Sequence, residues 1–195
     1  MTIPALPGLP TDRLGRTRGL ARTAALVILG SLLITASAKV QAPLWPVPVT
    51  MQSLVVLLVG VAYGSRLGAA TVLAYLAQGL AGLPVFAGAG AGPAYMAGPT
   101  GGFLLGFLLA ATCAGCLAER GWNRSPARVA AVLCLGHALL FAPGVAWLAV
   151  LFGGSKAVAI GLTPFLAGSV VKVALGTALV AAAGPLLRRG PRARP

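Results

Sequence analysis

Six apolar runs long enough to be helices recur along this chain, and the residues between and beyond them carry its arginines. The runs cover residues 20–38, 49–63, 67–81, 101–118, 129–151 and 162–187. A spanning helix needs about 20 apolar residues and tolerates about 17, so the second and third are short and are expected to tilt or to sit within a bundle. Hydrocarbon offers backbone amides no partner, which forces such runs to satisfy themselves as helices. The expected fold class is all-α: a polytopic membrane protein, a six-transmembrane-helix bundle over residues 20–187. Arg-rich cytoplasmic tails are expected at 1–19 and 188–195.

Charge supports this layout. Only 9% of the 195 residues are charged, against about 25% in a soluble domain. A net charge of +13 would suggest a nucleic-acid surface if the arginines shared one face of a soluble fold. Instead Arg13, Arg16, Arg18, Arg22, Arg66, Arg120, Arg124, Arg128, Arg188, Arg189, Arg192 and Arg194 all lie outside or at the rim of an apolar run. Six spans put all of them on one side, which the positive-inside rule makes cytoplasmic, with both termini there too. Lys39 and Lys156 fall on the other side, and the loop 82–100 between the third and fourth runs has no charge. A rival reading takes Arg-rich residues 13–22, the apolar core 24–34 and Ala36-Ser37-Ala38 as a cleaved signal peptide. Cleavage would leave five spans and carry the Arg-rich C-terminus to the wrong side, so the uncleaved layout is preferred.

Polar residues inside the runs are the candidates for function, because hydrocarbon tolerates them only where they face a cavity or a partner. Lys172 lies ten residues into the sixth run, about 15 Å along a helix. The two acids, Asp12 and Glu119, both belong to the cytoplasmic side and cannot pair with it. Ser169, one turn earlier, offers only a hydroxyl. Lys172 therefore either snorkels, or is held neutral by helix-end carbonyls, or takes its counter-ion from an anionic ligand. Thr50 and Gln52, in the Pro-bracketed stretch VPVTMQSL (47–54), stand at the mouth of the second run and raise the same expectation of a cavity.

Other constellations carry less. Cys113-x-x-Cys116 and Cys134-x-x-His137 have zinc-like spacing, yet free cysteine is a common buried apolar residue and a hydrogen-bonded core histidine is the simpler reading. No metal or cofactor is expected. One histidine and no intramembrane acid leave no acid–base pair for catalysis, and no phosphate-binding loop is present for ATP hydrolysis. The loop GLPVFAGAGAGPAYMAGPTGG (82–102) can be a lid over a pocket or an interfacial loop anchored by Phe86, Tyr95 and Met96. Gly98, Gly102, Gly106, Ala110, Ala114 and Ala118 recur every fourth residue as a smooth packing ridge, and Gly60, Gly64 and Gly68 do the same around the second-to-third turn.

Four segments in fixed order resemble one family: PLWPVPVTMQSLVVLLVG (43–60), YGSRLGAATVLAYLAQGLAGLPVFAG (63–88), GPTGGFLLGFLLA (98–110) and PFLAGSVVKVAL (164–175). They are similar to BioY, the biotin-binding S component of energy-coupling factor (ECF) transporters, over roughly residues 20–187. The resemblance implies a six-helix capture subunit that binds biotin near the external face. Lys172 stands where the family's Gly-Asp-x-x-Lys motif has its lysine, and Ser169 replaces the acid, so the resemblance implies a neutral hydroxyl contact to biotin there in place of a carboxylate's. Gln52 and Thr50 would hydrogen-bond the ligand or brace the loop above it, while Trp45, Phe86 and Tyr95 would form apolar walls. Ala21-x-x-x-Ala25 matches the small-residue patch by which such subunits dock a transmembrane coupling protein, which works with two cytoplasmic ATPases. A stand-alone homo-oligomer and a capture subunit for another small vitamin-like anion remain the alternatives.

Overall fold

The computed structural model describes residues 11–187, with side chains from 19 to 184. Residues 1–10 of the N-terminal tail and the whole C-terminal tail, 188–195, lie outside the described residues. Helix α1 runs Thr11–Lys39, so residues 11–19, expected in the N-terminal tail, continue the first helix. A two-residue antiparallel ribbon, β1 (Gln41–Ala42) with β2 (Val49–Thr50), then leads into α2, Gln52–Leu80. A short α3 (Gly92–Ala97) precedes α4 (Gly101–Glu119), and a single turn at Trp122–Arg124 precedes α5 (Pro126–Phe152). The short α6 (Gly154–Gly161) and the long α7 (Thr163–Leu187) complete the order.

Five helical stretches among the described residues are long and apolar enough to cross a membrane. One of them, α2, is two arms. Gly64 breaks it with φ 80° and ψ 178°, a conformation that is essentially restricted to glycine. The chain reverses there, because a Cβ on Gly68 would stand 3.1 Å from the Gly60 Cα although eight helical residues would separate them by about 12 Å. Gln52 and Tyr75 also meet across the two arms through a side-chain hydrogen bond. The gap expected at 64–66 thus shrinks to one residue, since a positive-φ glycine turns the chain without a loop. With the hairpin opened into its arms, α1, α2 (twice), α4, α5 and α7 make six.

Helix α4 is the centre of the bundle. On one side Gly102 and Gly106 meet the Pro143 and Leu140 carbonyls of α5, where an added Cβ would stand 2.4 and 2.6 Å away. On another side Ala111 backs directly onto Gly60 of the hairpin. Small residues let these backbones touch, and in lipid that contact replaces the hydrophobic drive of a soluble core. Helix α1 is different: Leu20, Ile28, Leu29, Leu32 and Leu33 are all exposed, while Ser31, Ile34 and Ala38 turn inward. The exposed leucine face suits acyl chains.

At the end of the bundle that carries Gly64, the Glu119 carboxylate accepts the Ser65 N–H at 2.7 Å and the Ser65 hydroxyl at 3.0 Å. It thereby caps the first turn of the second arm, where helix N–H groups lack partners. The opposite end holds the ribbon, residues 81–100 and α6, and encloses two cavities.

Candidate ligand-binding site

Nine residues into α7, about 13 Å along its axis at the standard rise, Lys172 turns into the bundle and is 6% exposed. Its Nζ donates to Ser53 Oγ at 3.0 Å. An ammonium has three donors, and the carboxylate among the described side chains, Glu119, is at the other end of α4. A buried cation that lacks an acid is costly unless a charge arrives from outside.

The space beside Lys172 is a small cavity of about 50 Å³. Its polar side is Thr50, Gln52, Ser53, Thr100 and Lys172, and its apolar side includes Phe103, Phe107, Phe141 and Phe165. Phe103 and Phe165 stack with centroids 5.8 Å apart, and Phe141 meets both edge-on. An apolar slot with a few convergent polar groups and one cation is suited to a small, partly ring-shaped anion. The polar side is pre-arranged: the Thr50 hydroxyl accepts the Gln52 N–H at 3.3 Å. The Gln52 amide nitrogen donates to the Tyr75 hydroxyl, which donates to the Val85 carbonyl at 3.2 Å. The floor of the cavity is thus wired to residues 82–100.

A second cavity of about 360 Å³ lies over the first and shares Pro48, Ala87, Tyr95 and Thr100 with it. These shared residues form a partition between an outer vestibule and the inner space. Tyr95 belongs to α3 and stacks on Phe86 at 5.1 Å. Burial raises its phenol above the ordinary range, so at neutral pH it keeps its proton and can donate. Trp147 Nε1 holds the end of α3 by donating to the Gly98 carbonyl at 2.9 Å.

The profile of the BioY family matches residues 11–189. This chain belongs to the BioY family. It is 40% identical over 177 residues to a biotin transporter BioY of Rhodobacter capsulatus, covering 82% of this chain and 91% of that one. It is 35% identical over 154 residues to a probable biotin transporter BioY of Pyrococcus horikoshii, covering 79% and 91%. A probable biotin transporter BioY of Rickettsia prowazekii is 32% identical over 157 residues, with 78% of each chain covered. The crystal structure of an S-component for biotin from an ECF-type ABC transporter superposes with a TM-score of 0.77, covering 94% of this chain and 96% of that one at 22% identity. The fold is therefore the S-component bundle, a multi-pass membrane protein.

Within this BioY chain the residues singled out from sequence separate into two groups. Lys172, Gln52, Thr50 and Tyr95 all line the inner cavity. Trp45 does not: it is 87% exposed and meets Phe152 edge-on. Phe86 is fully buried, wedged between Tyr75 and Tyr95 behind the wall rather than in it. Ser169 donates to the Phe165 carbonyl at 2.8 Å and lines a separate cleft between α5 and α7. Its placement follows from helix geometry, since a residue three positions back is rotated by about 60°, enough to cross from one side of Phe141 to the other. Ala21 and Ala25 are exposed on α1. Cys134 is exposed and His137 is buried, with Nδ1 2.8 Å from the Leu133 carbonyl. No group of three or more metal-ligating side chains converges among the described residues.

Sequence reasoning passed over Ser53, Thr100 and the four phenylalanines. Ser53 directly follows Gln52, and the signal available was that two adjacent polar residues inside an apolar run occupy different faces and need different partners. Phe103 and Phe107 recur four apart on α4, a spacing that marks one helix face but cannot tell a cavity wall from ordinary core.

Proposed function

We propose that this BioY protein is a biotin-capture subunit that takes up the vitamin through the outer vestibule and holds it in the inner cavity, with Lys172 as counter-ion to its carboxylate. The observation that carries the reading is a buried lysine without an acid, lining an aromatic slot in a chain of this family. Biotin matches that chemistry: its fused rings suit Phe103, Phe107, Phe141 and Phe165, its ureido group needs donors and acceptors such as Gln52, Thr50 and Thr100, and its valerate ends in an anion. Ser169 lines the neighbouring cleft and spends its hydroxyl on the Phe165 carbonyl, and the family supports biotin as the favoured ligand.

The capture subunit works with a transmembrane coupling protein and two cytoplasmic ATPases of an ECF module. The exposed Ala21 and Ala25 suit close approach of a partner helix. The arginine distribution supports a layout with both termini and the Gly64 turn on the cytoplasmic side and the vestibule outside. Equilibrium binding of labelled biotin to the detergent-purified protein tests the ligand, with Lys172→Ala and Ser169→Ala in parallel. Tight binding that Lys172→Ala abolishes and Ser169→Ala preserves is expected. A folded wild-type protein that ignores biotin overturns the ligand assignment. Uptake into cells that express the subunit with and without an ECF module tests the partners, and equal uptake in both would show that the protein transports alone.

A further inference from the structure

Every carbonyl from residue 84 to residue 88 has a donor. Lys39 Nζ, at the end of α1, donates to the Pro84, Phe86 and Gly88 carbonyls at 2.6, 2.8 and 2.7 Å. The Val85 carbonyl accepts from the Tyr75 hydroxyl at 3.2 Å, and the Ala87 carbonyl from the Gly90 N–H at 3.0 Å. All three donors of one ammonium are thus spent on a single turn of another element. Three carbonyl oxygens that converge on one point repel each other unless a cation sits between them, and charge-assisted bonds of this length are the strong ones. Residues 82–100 contain no charged side chain of their own, so the cation has to come from elsewhere in the chain.

The clasped turn is also the partition between the cavities. Ala87 lines both the inner cavity and the vestibule, Gly88 lines the vestibule, and Phe86 braces the Tyr95 ring that both spaces share. A shift of 84–88 away from α1 would open one space into the other. We infer that Lys39 is a positioning residue for the ligand site: its ammonium holds this partition shut and thereby sets the rate at which a bound ligand leaves. The inference rests on the reading of the inner cavity as the biotin site. A lysine that only anchors the end of α1 at the membrane surface would leave release unaffected.

The test compares wild type, Lys39→Gln and Lys39→Arg, purified in detergent and shown to be folded by their melting curves. Two quantities are measured: the association and dissociation rates of labelled biotin, and hydrogen–deuterium exchange of the amides in 82–100. Lys39→Gln should raise koff about tenfold and quicken kon as well, because the ligand crosses the same partition in both directions. Exchange should quicken in 82–100 and stay unchanged in α4 and α5. Lys39→Arg, which keeps charge and donors, should restore most of both. Unchanged koff and unchanged exchange in Lys39→Gln, alongside normal wild-type binding, would overturn the inference. If wild type does not bind biotin, the ligand reading fails by itself, and the clasp is then decided by exchange alone: quickened exchange in Lys39→Gln supports it and unchanged exchange removes it.

Discussion

The two ends of the bundle reverse the chain in opposite ways, and in each a charged side chain from a neighbouring helix secures the reversal. At one end a single residue, Gly64, turns α2 back on itself, and the Glu119 carboxylate accepts the N–H and hydroxyl of Ser65. At the other, residues 81–100 take the chain from α2 to α4, and the Lys39 ammonium supplies donors to three carbonyls. Each charge matches the backbone groups left over: an acid where N–H groups open a helix, a base where carbonyls converge. The tight end brings backbones into contact, with Gly115 lying against Gly64 and Ser65. The long end encloses two stacked cavities and the one buried ammonium among the described side chains. Binding space comes from a long connection whose backbone is satisfied from outside itself.

The largest effect should come from the charge that the long end protects. Lys172→Ala should weaken biotin binding by at least about thirtyfold, since removing one partner of a buried charge pair costs about 2–5 kcal/mol. Wild type should also prefer biotin to its methyl ester, and the mutant should lose that preference. Equal affinity of wild type for acid and ester would move Lys172 away from the carboxylate. At the tight end, Gly64→Ala should cost about 1–3 kcal/mol through the forbidden backbone conformation, and the added Cβ would stand 2.5 Å from Glu119 Oε1. The expected result is a lower melting temperature with biotin affinity of the surviving folded fraction unchanged. A folded variant with altered affinity would break the separation between the ends.

Gln52→Leu probes the wiring from floor to lid. Loss of its bond to Tyr75 should weaken biotin about two- to tenfold, in keeping with about 0.5–1.5 kcal/mol for one hydrogen bond, and an unchanged Kd would remove Gln52 from the site. The smallest effect should be that of Glu119→Gln, whose carboxylate is exposed. A slight fall in melting temperature is expected, with koff for biotin the same as wild type. Faster release from that variant would mean that the two ends communicate.

Much of the architecture was legible because lipid imposes a simple rule. An apolar run must be a helix, so hydropathy and arginine placement are enough to lay out six arms, and glycine at 60, 64 and 68 marks where two of them meet. The candidate site was legible in part. Lys172 and Gln52 stand out because polar groups in hydrocarbon are expensive, and the same cost applies whatever the fold. The positions of Trp45 and Phe86 were not legible, because aromatic side chains are equally at home on an exposed rim, in a buried stack or on a cavity wall. Lys39 looked like a topology marker, since nothing in the local sequence reveals which carbonyls will converge on it.

What the sequence by itself determined was the number of membrane helices and the existence of a buried cation without an acidic partner, because both follow from the local cost of placing charge and backbone in hydrocarbon. Only the tertiary structure decided what that cation faces. Ser169 and Lys172 lie one turn apart on α7, yet packing against Phe141 sends them into different spaces, and Lys172 meets Ser53 from a helix 119 residues away in the chain. Such a meeting depends on how closely α2, α4, α5 and α7 approach one another, a property of the whole bundle that no single stretch of residues encodes.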